Sequence, residues 1–182
     1  VPLTMFGVLA GKTFRELEKE VINFKKVYGD AMTPPEEIAQ NLAAVRKLSA
    51  EFTKYGIAAK DTMALAAQAA AAGNQGAALI DATRESTRLA TLGQMEQNEA
   101  LKTTIALQSA FGLSGKELSK SINFLNMVEN QTVVTLQDLA AAIPRVAPVI
   151  KGLGGTVEDM SAMLAAMQEG GVSAAQGANA LK

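Results

Sequence analysis

Gly112-Leu113-Ser114-Gly115-Lys116-Glu117 decides how this chain folds. A glycine tolerates the left-handed conformation that closes a helix, and an apolar residue after it anchors the turn. A serine with glutamate three residues later then forms the reciprocal capping box that opens the next helix. Gly155-Thr156 before Asp159 and Gly171-Val172-Ser173 before Gln176 repeat the device, Gly56-Ile57 leads towards Asp61, and Thr135 with Asp138 repeats the cap without the glycine. With further breaks at Gly73 and Gly93, the punctuation recurs roughly every 17 to 21 residues, the rhythm of short antiparallel helices with tight connections.

The segments between these signals carry helical periodicity. Ile38, Leu42, Val45, Leu48, Phe52 and Tyr55 form one apolar face behind Thr33-Pro34-Pro35-Glu36, which reads as an N-cap, first-turn proline and capping glutamate. The only β-like run, Thr132-Val133-Val134-Thr135, leads straight into a cap. The pattern therefore predicts an all-α fold: an N-terminal heptad helix followed by a compact bundle of short antiparallel helices. Pro144 and Pro148 should kink or split the helix that holds them, because each lacks an N–H and clashes one turn back.

Residues 1–29 differ in kind from the rest of the chain. Leu3, Gly7, Ala10, Phe14, Leu17, Val21, Phe24 and Tyr28 alternate four and three apart, the seam of a heptad helix. With Phe14, Val21 and Tyr28 at a and Ala10, Leu17 and Phe24 at d, Glu20 falls at g and Lys25 at the following e, the pairing that crosses between parallel strands. The stripe Ala10, Phe14, Leu17, Val21, Phe24 and Tyr28 is thus an expected oligomerisation seam, its bulky a residues favouring three or more copies; packing on its own chain is the alternative. The expected domains are residues 1–29, an amphipathic or coiled-coil helix, and residues 33–182, a helical bundle.

Composition narrows the function classes. Apolar residues make up 48% of the chain and aromatics only 4%, so alanine, aliphatic residues and 8 methionines must fill the core. Seventeen Lys and Arg balance 18 Asp and Glu, leaving a net charge of -1 that attracts no nucleic acid by itself. The chain has no cysteine and no histidine, which removes the Cys-His and Ser-His-Asp constellations and the commonest zinc ligands. No cofactor, metal site or catalytic residue is expected. The uncharged window from Thr62 to Ile80 approaches the length of a membrane span, but Gln68 and Gly73-Asn74-Gln75-Gly76 interrupt it, so it reads as two helices joined by a turn. Both ends look cut from a longer polypeptide, the last helix having barely begun before Lys182.

The remaining chemistry-bearing groups have plain readings. Glu36-Glu37 and Glu158-Asp159 sit in first turns, where negative charge suits the helix dipole. Gly73 to Gly76 lacks the lysine and hydroxyl of a phosphate loop. Met160, Met163, Leu164 and Met167 form a stripe at helical spacing that suits either the core or an adaptable docking surface.

Taken in order, these features resemble the conserved helical domain of phage tail tape measure proteins, also called phage minor tail proteins. The resemblance runs from about Phe24 to Lys182. It rests on Phe24-Lys25-Lys26-Val27-Tyr28, Phe52-Thr53-Lys54-Tyr55-Gly56-Ile57, Ala106-Leu107-Gln108-Ser109-Ala110-Phe111-Gly112-Leu113 and Val134-Thr135-Leu136-Gln137-Asp138-Leu139. It continues through Ala147-Pro148, Gly152-Leu153-Gly154, Gly170-Gly171-Val172 and Gly177-Ala178-Asn179-Ala180-Leu181-Lys182. Asn74-Gln75-Gly76 departs from it, standing where more helix is expected. The resemblance implies a structural, non-enzymatic ruler assembled in the host cytoplasm and carried in the virion tail, in its lumen or at its tip. It implies several self-associated copies, tail tube and distal tail or tail-tip proteins as partners, a role in tube length, and departure with the DNA at ejection.

As one unbroken helix the chain would span roughly 270 Å at 1.5 Å per residue; its glycine and proline breaks confine any rod to the start and fold the rest into a body that plugs, docks or caps. Two other readings compete: a membrane-active helical module that inserts into the host envelope during ejection, making contact with the host membrane, and a helical adaptor unrelated to phage.

Overall fold

The computed structural model of the chain describes residues 3–29 and 33–181, with side chains from Lys12 onward. Among these residues the regular elements are nine helices and no strand: α1 Leu3–Tyr28, α2 Pro35–Thr53, α3 Ala59–Ala71, α4 Gly76–Leu92, α5 Gln97–Phe111, α6 Gly115–Gln131, α7 Leu136–Gly152, α8 Val157–Glu169 and α9 Ala174–Ala180. The chain forms two compact units, Val1–Thr83 and Arg84–Lys182, and α4 contributes to both. The sequence suggests a division after residue 29 instead; in the structure α1 belongs to the first unit, where it packs chiefly against α3.

Local signals set the helix ends. Ser114, Thr135, Thr156 and Ser173 each close a capping box with Glu117, Asp138, Asp159 and Gln176. At α8, the Thr156 N–H donates to Asp159 Oδ2 at 2.9 Å while the Asp159 N–H donates to Thr156 Oγ1 at 3.1 Å. The bonds received from Ser114, Thr135 and Thr156 hold the Glu117, Asp138 and Asp159 carboxyls below their ordinary values. At the other end of α8, Gly171 takes φ 85°. Its N–H donates to Gln168 O and the Val172 N–H to Met167 O at 2.8 Å, the paired bonds of a Schellman turn.

Two starts and stops differ from their sequence reading. The cap of α2 is Pro34, whose carbonyl accepts from Glu37 and Ile38 while no side chain caps the helix. After α4, the left-handed residue is Gln94 at φ 48°, not Gly93. Gly93 is small for a different reason: a Cβ there would lie 3.0 Å from Leu136 Cβ and collide with the Met95 side chain.

In the first unit the core comprises Val21, Phe24 and Tyr28 of α1, Leu42, Val45, Leu48 and Phe52 of α2, and Met63, Leu65, Ala66, Ala67 and Ala69 of α3, with Leu79 and Ala82 from α4. The alanines of α3 keep its surface low, so neighbouring helices approach closely. Phe24 and Tyr28 stack with ring centroids 5.4 Å apart. The Tyr28 hydroxyl donates to Glu37 Oε1 at 2.9 Å and accepts from the Gly76 N–H at 3.3 Å, so this buried ring ties α1 to the starts of α2 and α4.

The second unit is organised around α7. Leu136, Leu139, Ala140, Ala142, Ile143, Val146, Ala147 and Ile150 are all buried, and α5, α6, α8 and α9 pack against this helix. Of the two outcomes expected at its prolines, α7 does not split: it runs as one element through both. Pro144 and Pro148 both lie on its exposed side. The buried carbonyl that Pro144 cannot serve, Ala140 O, receives the Thr103 hydroxyl of α5 at 3.1 Å. That hydroxyl also stands 3.0 Å from Glu99 O in its own helix, so its single proton is shared.

Replacing Thr103 with valine should therefore cost about 1–3 kcal/mol in urea melts, since Ala140 O would be buried unpaired. Pro144→Ala restores an N–H to that carbonyl, so the same Thr103→Val change should cost distinctly less in the Pro144→Ala background. Equal costs in both backgrounds would disconnect Thr103 from the proline.

Candidate functional site

The seam read from the heptad is divided by the fold. Ala10 lies outside the residues whose side chains are described. Phe14 is 59% exposed, Leu17 is half-buried, and Val21, Phe24 and Tyr28 are buried within the first unit. The C-terminal half of the stripe is thus engaged by its own chain, while its upstream end stays open. Phe14 stands beside an open groove of 670 Å³ between α1, α2 and α3, whose walls include Leu17, Ile22, Arg46, Ala50 and Met63. Ile22, 66% exposed, has no place in the a/d pattern and was invisible to the heptad reading. Lys60 of α3 donates to Glu16 of α1 at 2.8 Å, with both side chains about two-fifths exposed. The bond and the Lys60 charge lower the Glu16 carboxyl and raise the Lys60 ammonium, but so exposed a pair adds little stability.

The methionine stripe is also split. Met160 and Leu164 have no solvent exposure and belong to the apolar core of the second unit. Met163 is exposed, and Met167 is half-buried with its sulfur against Gly177. Only Met163 and the edge of Met167 face outward for contact.

The carboxylate pairs occupy structural positions. Glu37 accepts from Tyr28 and Asp159 closes the α8 capping box. Among the described residues, no cluster of acidic side chains has the arrangement to hold a metal ion, and no helix is long and apolar enough to cross a membrane.

One polar arrangement escaped the sequence reading. Glu85 of α4 is 3% exposed and is the single charged residue in the buried set of the described residues. It forms an ion pair with Arg88 one turn on. Arg88 in turn donates to Ser119 Oγ at 2.8 Å and Asn123 Oδ1 at 2.7 Å on α6. Burial pushes the Glu85 carboxyl above its ordinary value, opposed in part by Arg88, by a hydrogen bond from Ser119 and by Arg84. The run Arg84-Glu85-Ser86-Thr87-Arg88 is polar throughout in sequence, and α6 meets it through Arg88.

Comparison with known proteins gives two matches. Residues 42–182 match the family described as Phage-related minor tail protein. The "Probable tape measure protein" of Escherichia phage P2 is 32% identical over 81 residues, 44% of this chain and 10% of that protein. The chain therefore spans about one tenth of that relative's length. No solved structure matches.

The raised Glu85 value fixes the sign of a pH effect. The folded carboxyl holds its proton more tightly than the unfolded one, so its contribution to stability is present at low pH and lost as pH rises through the raised value. Glu85→Gln, which mimics the protonated form, should melt above the parent chain at pH 7, with the gap closing as pH falls towards the ordinary value of 4.5. A Gln variant that melts below the parent at pH 7 would contradict this reading of the buried charge.

Proposed function

The chain belongs to the phage-related minor tail protein family, and on that premise we propose that it is a tape measure segment that builds the phage tail without catalysing a reaction. The observation that carries this reading is the family match over residues 42–182, joined to a fold that is helical from α2 to α9. The likeness to a protein named as a probable tape measure protein supports it.

Helix length supports a division of the segment into two tasks. At 1.5 Å per residue, α1 is a rod of roughly 39 Å. Every later helix has 19 residues or fewer and ends in a turn. In this reading the helices from Pro35 onward dock at the tail tube or the distal tail and tip proteins, and help to release the DNA at ejection. It sets no length itself. In this reading α1 gathers three or more copies through the upstream end of its seam, where Phe14 and Leu17 remain accessible.

Size-exclusion chromatography with light scattering tests both tasks. At tens of micromolar the chain should run as an oligomer of at least three copies and co-elute with the tail tube or distal tail protein of the same phage. Phe14→Glu places a charge on an exposed position of the seam and should give a folded monomer. A parent chain that is monomeric and co-elutes with neither tail protein would sink the proposal.

A further inference from the structure

The groove of the first unit presents unmatched groups on two of its walls. On the α1 wall, Phe14 and Ile22 are 59% and 66% exposed and stand four residues either side of Glu18, so the three share one helix face. Arg46 lines the α2 wall. The two helices run antiparallel: Tyr28 meets Glu37 at one end, and Phe14 and Thr53 line the groove together at the other. Arg46 therefore lies near the level of Glu18. Both charges are exposed, and among the described residues neither forms an ion pair.

The occupant that matches these walls is a helix with bulky apolar residues on either side of a carboxylate. The chain carries that pattern itself, in α1. Because Phe14 and Ile22 are placed symmetrically about Glu18, a second α1 laid antiparallel along the mouth of the groove sets its Ile22 against Phe14 and its Phe14 against Ile22. Its Glu18 arrives at the level of Arg46, and the same contact forms in reverse on the other copy. The two Glu18 carboxylates approach each other at the axis and repel, and an Arg46 from each copy offsets that repulsion. Such a contact is isologous and closes at two copies.

We propose that the groove is a pairing site for a second copy of this chain, with Phe14 and Ile22 as reciprocal apolar contacts and Glu18 and Arg46 as the crossed ion pairs. The pairing goes beyond the seam contact through Phe14 and Leu17: it brings in Ile22 and the α2 wall, which a heptad does not use, and it makes the number of copies in the assembly even.

Light scattering on the whole chain at tens of micromolar reads the pairing. Ile22→Glu, at an exposed position off the a/d seam, should halve the mass of the parent assembly while the circular dichroism stays helical. Glu18→Arg and Arg46→Glu each set like charges against one another across the contact and should each halve the mass as well. An equimolar mixture of those two variants should regain the parent mass, because in the mixed pair every introduced charge meets an opposite one. A parent assembly that Ile22→Glu leaves at full mass overturns the pairing and spares the seam, as does a mixture that stays at half mass. If Ile22→Glu instead releases a bound tail protein, that protein occupies the groove and the pairing falls. A monomeric parent removes both contacts, whereas a parent of two copies keeps the pairing and removes the reading of three or more.

Discussion

Beyond α1, the helices of this chain have between 7 and 19 residues, and helices so short are marginal in water by themselves. Each can persist only by burying a face against others, so the eight buried apolar residues of α7 are the constraint on which the second unit depends. The helix presents that face to four partners, while its two prolines stay exposed. Thr103 then supplies the proton that Pro144 lacks at Ala140 O. The first unit solves the same problem with small residues, the alanines of α3 admitting Phe24 and Tyr28 of α1 to full burial.

The local part of this architecture was legible in the sequence. A capping box spans four residues, and the reciprocal bonds at Ser114, Thr135, Thr156 and Ser173 need no knowledge of the rest of the chain. Long-range compensation was not legible. Pro144 looks like a break because the hydroxyl that rescues its carbonyl comes from another helix. Gly93 looks like the left-handed residue because nothing local shows that Leu136 stands over it. Glu85 sits in a run of polar residues, and its burial is set by tertiary packing.

For the candidate interaction surfaces, periodicity named two stripes, and the fold divides both of them. The heptad of α1 is continuous in sequence, yet α3 covers it only towards Tyr28 and leaves Phe14 exposed. The methionine stripe is spaced for one face, and burial assigns Met160 and Leu164 to the core while Met163 stays outside. The family resemblance was legible over residues 24–182 and the family match covers residues 42–182.

These helices exist because they are packed, with intrinsic helix preference a lesser contributor. Thermal melting of the chain followed at 222 nm by circular dichroism tests that claim most directly. Stability drawn from packing predicts a strongly helical spectrum with negligible sheet and a steep, cooperative loss of signal. A shallow, continuous loss over the whole temperature range, as independent helices fraying one by one would give, would contradict it.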